Sequence, residues 1–66
     1  MILTVFSKNN CPGCVTLKAK LDAKGIAYEV RNIDYDPAAY KFVVDRQHRS
    51  IPVVYNGEVQ VDIHTI

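Results

Sequence analysis

Cys11-Pro12-Gly13-Cys14 holds the only two cysteines of this 66-residue chain. A thiolate, not a thiol, attacks a disulfide, and an ordinary thiol that titrates near about 8.5 is mostly protonated at neutral pH. A helix beginning at the first cysteine shifts that balance. Its unpaired backbone N–H groups and about half a positive charge favour an anion there. Lys8, three residues upstream, adds a cation. Cys11 is therefore the expected nucleophile. Cys14, one helical turn later, is placed to attack the mixed disulfide and release the product. Pro12 pre-sets the backbone between them, and Gly13 lets a partner's backbone come close at some cost in helix stability. Two other readings compete. Both cysteines could be small buried hydrophobes, or they could join His48 and His64 in a zinc site. Zinc modules space their ligands in close pairs, and these histidines form no second close pair, so both are expected at the surface.

The elements around the pair follow from periodicity. Ile2 to Phe6 is a nearly continuous apolar run of strand formers, expected to be buried on both faces. Pro12 suits a first helical position with Cys11 as its cap. Cys14, Leu17 and Leu21 share one face, and Gly25 is a good stop, so a helix is predicted from about Pro12 to Lys24. Ala27 to Ile33 reads as a strand with a more exposed edge. Asp36-Pro37 signals a second helix start, running to about Gln47 with a wide apolar face, and Arg46, His48 and Arg49 suit its C-terminal dipole. Val53 to Tyr55 is a third strand, with Pro52 at its start because proline cannot donate to a ladder. Asn56-Gly57 predicts a type I′ hairpin turn. Glu58 to Ile63 alternates as a fourth, edge strand. The first two strands, joined by a helix, must be parallel, and the last two antiparallel. The expected architecture is α/β, β-α-β-α-β-β, with a mixed four-stranded sheet in one domain over residues 1–66.

Composition narrows the function classes. With 48% hydrophobic and 23% charged residues the chain is expected to fold as a soluble protein. A net charge of +1 makes no electrostatic case for nucleic-acid or membrane partners. Small secreted scaffolds carry about four to eight cysteines, Ile2 to Phe6 lacks the features of a signal peptide, and no run reaches the ~18 apolar residues of a membrane span. A cytoplasmic location is expected.

The ordered motifs Ser7-Lys8, Cys11-Pro12-Gly13-Cys14 and Ile51-Pro52 before a hairpin resemble glutaredoxin, within the thioredoxin superfamily, over roughly residues 2 to 59. Asn32-Ile33-Asp34 and Arg49-Ser50-Ile51-Pro52-Val53-Val54 also resemble the glutaredoxin-like hydrogen donors of ribonucleotide reductase. The resemblance implies a thioredoxin-like fold and no bound cofactor or metal. It implies Cys11 as nucleophile, Cys14 as resolving thiol, and Lys8 supporting the thiolate and glutathione. Pro52 would be cis and face the cysteines, and Ile51 would offer its backbone to an extended substrate. Arg46 and Arg49 could receive a glutathione carboxylate. Three departures stand out. Gly13 occupies a place often aromatic in glutaredoxins. Gln60-Val61-Asp62 replaces the Gly-Gly-Asp-like segment that holds glutathione, leaving Asp62 as the acidic stand-in, and the donors' Ser-Gly-aromatic stretch is missing. The family's third helix would begin where this sequence stops, which leaves a sheet face open.

The reading that follows is a dithiol electron carrier. It reduces protein or glutathione mixed disulfides, ribonucleotide reductase among the clients, and is recharged by glutathione or a thioredoxin-reductase-type flavoprotein. The alternative is a non-catalytic interaction module or homodimer that uses the open sheet face.

Overall fold

The computed structural model describes residues 2–66. β1 (Leu3–Ser7) lies between β2 (Tyr28–Asn32), which is parallel to it, and β3 (Val53–Asn56), which is antiparallel. β4 (Val59–Val61) pairs antiparallel with β3, so the order is β2-β1-β3-β4. The interior place of β1 explains its nearly continuous apolar run. Leu3 and Val5 point to one face and Phe6 to the other, and all three are buried.

The helices take opposite faces. α1 (Pro12–Ala23) sets Leu17 and Leu21 against Leu3, Val5 and Val54. α2 (Pro37–Asp45) sets Ala39 and Val43 against Phe6, Val53 and Tyr55, where Phe42 stacks on Phe6 with ring centroids 4.7 Å apart. Both helices start alike. Cys11 caps α1 at φ −116, ψ 95, and Asp36 caps α2 at φ −116, ψ 99, each followed by proline. α1 ends in a Schellman motif: Ile26 N–H donates to the Leu21 carbonyl and Gly25 N–H to that of Asp22, with Gly25 at φ +68.

Several boundaries differ from the periodicity. β1 starts and stops one residue later than expected, and β2 is trimmed by one residue at each end. α2 ends at Asp45 rather than Gln47, because Gln47 adopts φ +59 and closes the same C-terminal motif that Gly25 closes in α1: Gln47 and His48 N–H donate to the Val44 and Val43 carbonyls. The hairpin turn sits one residue later than Asn56-Gly57. Asn56 belongs to β3 and pairs with Val59, which leaves Gly57-Glu58 as the loop. Gly57, at φ +64, takes the first loop position, as a type II′ turn requires. β4 stops at Val61 because Asp62 accepts the His64 N–H and starts a 3₁₀ turn, Ile63–Thr65. Ile63 and Ile66 pack on the α1-side core, so that sheet face is partly covered rather than open.

Candidate active site

The β1–α1 loop delivers Cys11 to the helix start. Asn10, at φ 55, turns the chain just before it, a conformation that asparagine tolerates. The loop is clamped from the next crossover. Asn9 N–H donates to Asp34 Oδ2 at 2.8 Å, Asn9 Nδ2 to Tyr35 Oη at 2.9 Å, and Asn32 Nδ2 to Asn9 Oδ1 at 3.2 Å. The contacts of Asn9 with Tyr35 and Asn32 had no signal in the sequence, since they span more than twenty residues.

Cys11 and Cys14 are joined as a disulfide, with Cα atoms 5.3 Å apart. The structure is therefore the oxidised form. Cys11 is 9% exposed and Cys14 2%, so Cys11 is the less deeply buried of the two cysteines. The Cys14 N–H donates to Cys11 Sγ at 3.2 Å. That donor, and the dipole behind it, would stabilise negative charge on Cys11 once the bond opens.

The Ile51–Pro52 peptide bond is cis, as the resemblance implies. It sits beside the pair: Cys11 Sγ is 3.7 Å from the Ile51 carbonyl oxygen. A Cβ at Gly13 would lie 3.3 Å from Pro52 Cδ, so the glycine lets the helix start and the proline loop approach closely.

The other expected site residues separate. Lys8 is exposed and lines a cleft with Cys11, Pro12 and Cys14. Arg49 is exposed and lines a different cavity, reached past Pro52 and away from the sulfurs. Arg46 lies with its guanidinium carbon 3.5 Å from the Phe42 ring centroid, against the aromatic core rather than the cysteines. Asp62 caps the 3₁₀ turn. His48 is not a surface residue as expected; it is half-buried, with Nε2 2.7 Å from Tyr55 Oη. His64 is exposed. Among the described residues no cluster of three or more His, Cys, Asp or Glu is placed to hold a metal.

Asp36 is held below its ordinary range. The Ala39 N–H and then the Arg31 guanidinium stabilise its carboxylate. Tyr28 is pushed up, first by burial and then by its hydrogen bond to Asp22 at 3.0 Å. Neither group touches the sulfurs. The arrangement at Cys11 offers the less buried cysteine of the pair, an anion-favouring helix start, a second sulfur in bonding reach and a backbone acceptor alongside. This set can exchange one disulfide for another.

A family model described as Glutaredoxin matches residues 3–60. The Glutaredoxin-like protein NrdH of Salmonella typhimurium is 30% identical over 59 residues, covering 89% of this chain and 73% of that protein. The protein of the same name from Lactococcus lactis is 38% identical over 53 residues, covering 80% and 74%. The solved structure of NrdH-redoxin from Escherichia coli, whose subject is a thioredoxin-like activity profile, superposes with a TM-score of 0.84 at 27% identity, covering 94% of this chain and 82% of that one.

Proposed function

The chain belongs to the glutaredoxin family of thiol–disulfide oxidoreductases, and on that premise we propose a dithiol electron carrier in which Cys11 attacks and Cys14 resolves. The observation that carries this reading is the Cys14 N–H aimed at Cys11 Sγ beside the Ile51 carbonyl. The Cys11 thiolate attacks a client disulfide and releases one client thiolate. The Cys14 thiolate then attacks Cys11 Sγ, freeing the second client thiolate and forming the Cys11–Cys14 disulfide. Two electrons pass to the client, and the solvent supplies two protons. Lys8 attracts the anionic leaving group, Gly13 and Pro12 keep the helix start close to Pro52, and Ile51 offers its backbone to an extended client.

Members of the family bind no cofactor and take glutathione as reductant. For this chain the reductant we assign is a thioredoxin-reductase-type flavoprotein. The support is twofold: Gln60-Val61-Asp62 lacks the glycine pair that holds glutathione in the resemblance, and the Escherichia coli relative is described as thioredoxin-like in activity. The client we assign is ribonucleotide reductase in the cytoplasm, on the kinship with proteins named NrdH. An interaction module has less support, because Ile63 and Ile66 lie on the face it would use. A coupled assay tests the assignment by following NADPH consumption with each reductase system and a disulfide client. Turnover with the flavoprotein at least about tenfold above that with glutathione plus glutathione reductase is expected. The reverse order would overturn the reductant, and wild-type turnover by Cys11→Ser would overturn the mechanism.

A further inference from the structure

Two cavities meet at Pro52, Ile63 and His64. One, of ≈ 240 Å³, runs from Gly13 along the first turns of α1 to Lys20. The other, of ≈ 660 Å³, runs past Arg49 and His48. Together they make one groove that starts at Gly13 and Pro52, next to the cysteine pair, and runs away from it past Arg49, with Leu17, Pro52 and Ile63 as its apolar floor. Its charged side chains are two cations and one carboxylate. Lys20 and Arg49 are exposed at its edges, and the two histidines lie between them. Asp62 is the only carboxylate lining it, and its Oδ1 already accepts the His64 N–H at 2.8 Å.

The flank across the disulfide carries Lys8 and Lys18. Its nearby acids are committed: Asp34 accepts the Asn9 N–H, and Asp36 holds Arg31 and the α2 cap. Four of the chain's eight Lys and Arg thus line the three cavities around the redox end, against one of its seven carboxylates. The net charge of only +1 hides this separation.

We propose that the Pro52 groove selects clients whose disulfide is flanked by an acidic, extended polypeptide segment, with Lys20 and Arg49 as its specificity residues. This rests on the electron-carrier reading and names its substrate class. An extended client passing Ile51 and Pro52 continues along the groove, and its Asp or Glu side chains meet Arg49 on one edge or Lys20 on the other. Exposed pairs of this kind add little once bound, but they raise the encounter rate at low salt.

The test uses the reduced full chain and two disulfide-bonded peptides identical except for Glu or Lys at the residues flanking the cysteines. At low ionic strength the acidic peptide is expected to react about tenfold faster, and in about 0.5 M salt the two rates should converge to within about twofold. Lys20→Glu with Arg49→Glu inverts the preference, and Lys20→Gln with Arg49→Gln brings it near unity. Lys24→Glu, half the charge change of the double Glu variant and placed at the far end of α1, leaves it in place. Equal rates for the two peptides, or a preference untouched by the Lys20 and Arg49 changes, overturn this inference and spare the carrier. Reduction of neither peptide overturns both. Oxidised glutathione outpacing the acidic peptide with the same dependence on Lys20 and Arg49 would assign the groove to glutathione instead.

Discussion

The two helix starts are one backbone design with two different side chains. Cys11 and Asp36 share φ −116 and nearly the same ψ, and each precedes a proline. Both side chains accept from N–H groups of the first turn. At Asp36 the carboxylate takes two such bonds, from Ala38 at 3.0 Å and Ala39 at 3.2 Å, and adds the Arg31 guanidinium. It is also held below its ordinary range, with the Ala39 N–H as the leading cause. At Cys11 the sulfur, bonded to Cys14 Sγ in the oxidised form, accepts one N–H and lies 3.7 Å from the Ile51 carbonyl oxygen. Asp36 therefore reports on what a helix start does to an anion when every partner is in place. Cys11, once reduced to the thiolate, has the same preference with fewer partners. A fully paired anion holds structure together, while an underpaired one is left free to react.

That contrast breaks first at the sulfur. Cys11→Ser is expected to abolish disulfide reduction, whereas Asp36→Ala retains turnover and loses stability. Steady-state rates beside denaturation midpoints check both, and a loss of turnover in Asp36→Ala equal to that of Cys11→Ser would erase the distinction. Next in size is the partition within the pair. Brief alkylation of the reduced protein should label Cys11 over Cys14 by about tenfold or more, since Cys11 is the less buried residue and its sulfur receives the N–H. Peptide mapping reads the ratio, and equal labelling contradicts it.

The Asp36 side sharpens with pH. Its folded value lies below the ordinary 3.8, so it contributes stability that is fully present above that value and lost as pH falls through the folded value. Melting followed downward from about pH 5 should show the loss, and Asp36→Asn should flatten that limb; an unchanged acid limb would argue against the cap. The smallest effect lies at the opposite ends of the helices. Gly25 and Gln47 close the same motif in left-handed conformations, and only Gln47 carries a side chain there. Gln47→Gly should raise stability by about 0.5 kcal/mol, the relief of αL strain less the entropy glycine loses, read as a shift in urea midpoint. No shift, or a lower midpoint, would mean the Gln47 side chain offsets its own strain.

What could be read from the chain follows the range of the forces involved. The Cys-Pro and Asp-Pro helix starts, the Gly25 stop and the buried central strand are all local or periodic signals, and the structure has each of them. The misreadings occurred where two local signals competed. Asn56-Gly57 is a strong turn dipeptide, but pairing Asn56 with Val59 lengthens β3 and moves the turn to Gly57-Glu58. Alternation continued past Val61, but the Asp62 cap ended the strand first. Gln47 bears no sign of a left-handed residue, so the end of α2 was invisible.

By itself the sequence determined the element order, the redox pair at a helix start and the proline ahead of the third strand, because spacing along a chain sets caps and periodicity. Only the tertiary structure decided that the Ile51 carbonyl stands beside Cys11, that His48 turns inward to Tyr55, that Arg49 borders a groove apart from the sulfurs, and that Lys20 and Arg49 edge the same cationic groove. These placements depend on sheet register and on which face each helix covers. Both are set by burying Phe6, Val53 and Tyr55 on one side and Leu3, Val5 and Val54 on the other, contacts between residues far apart in the chain that no local pattern records.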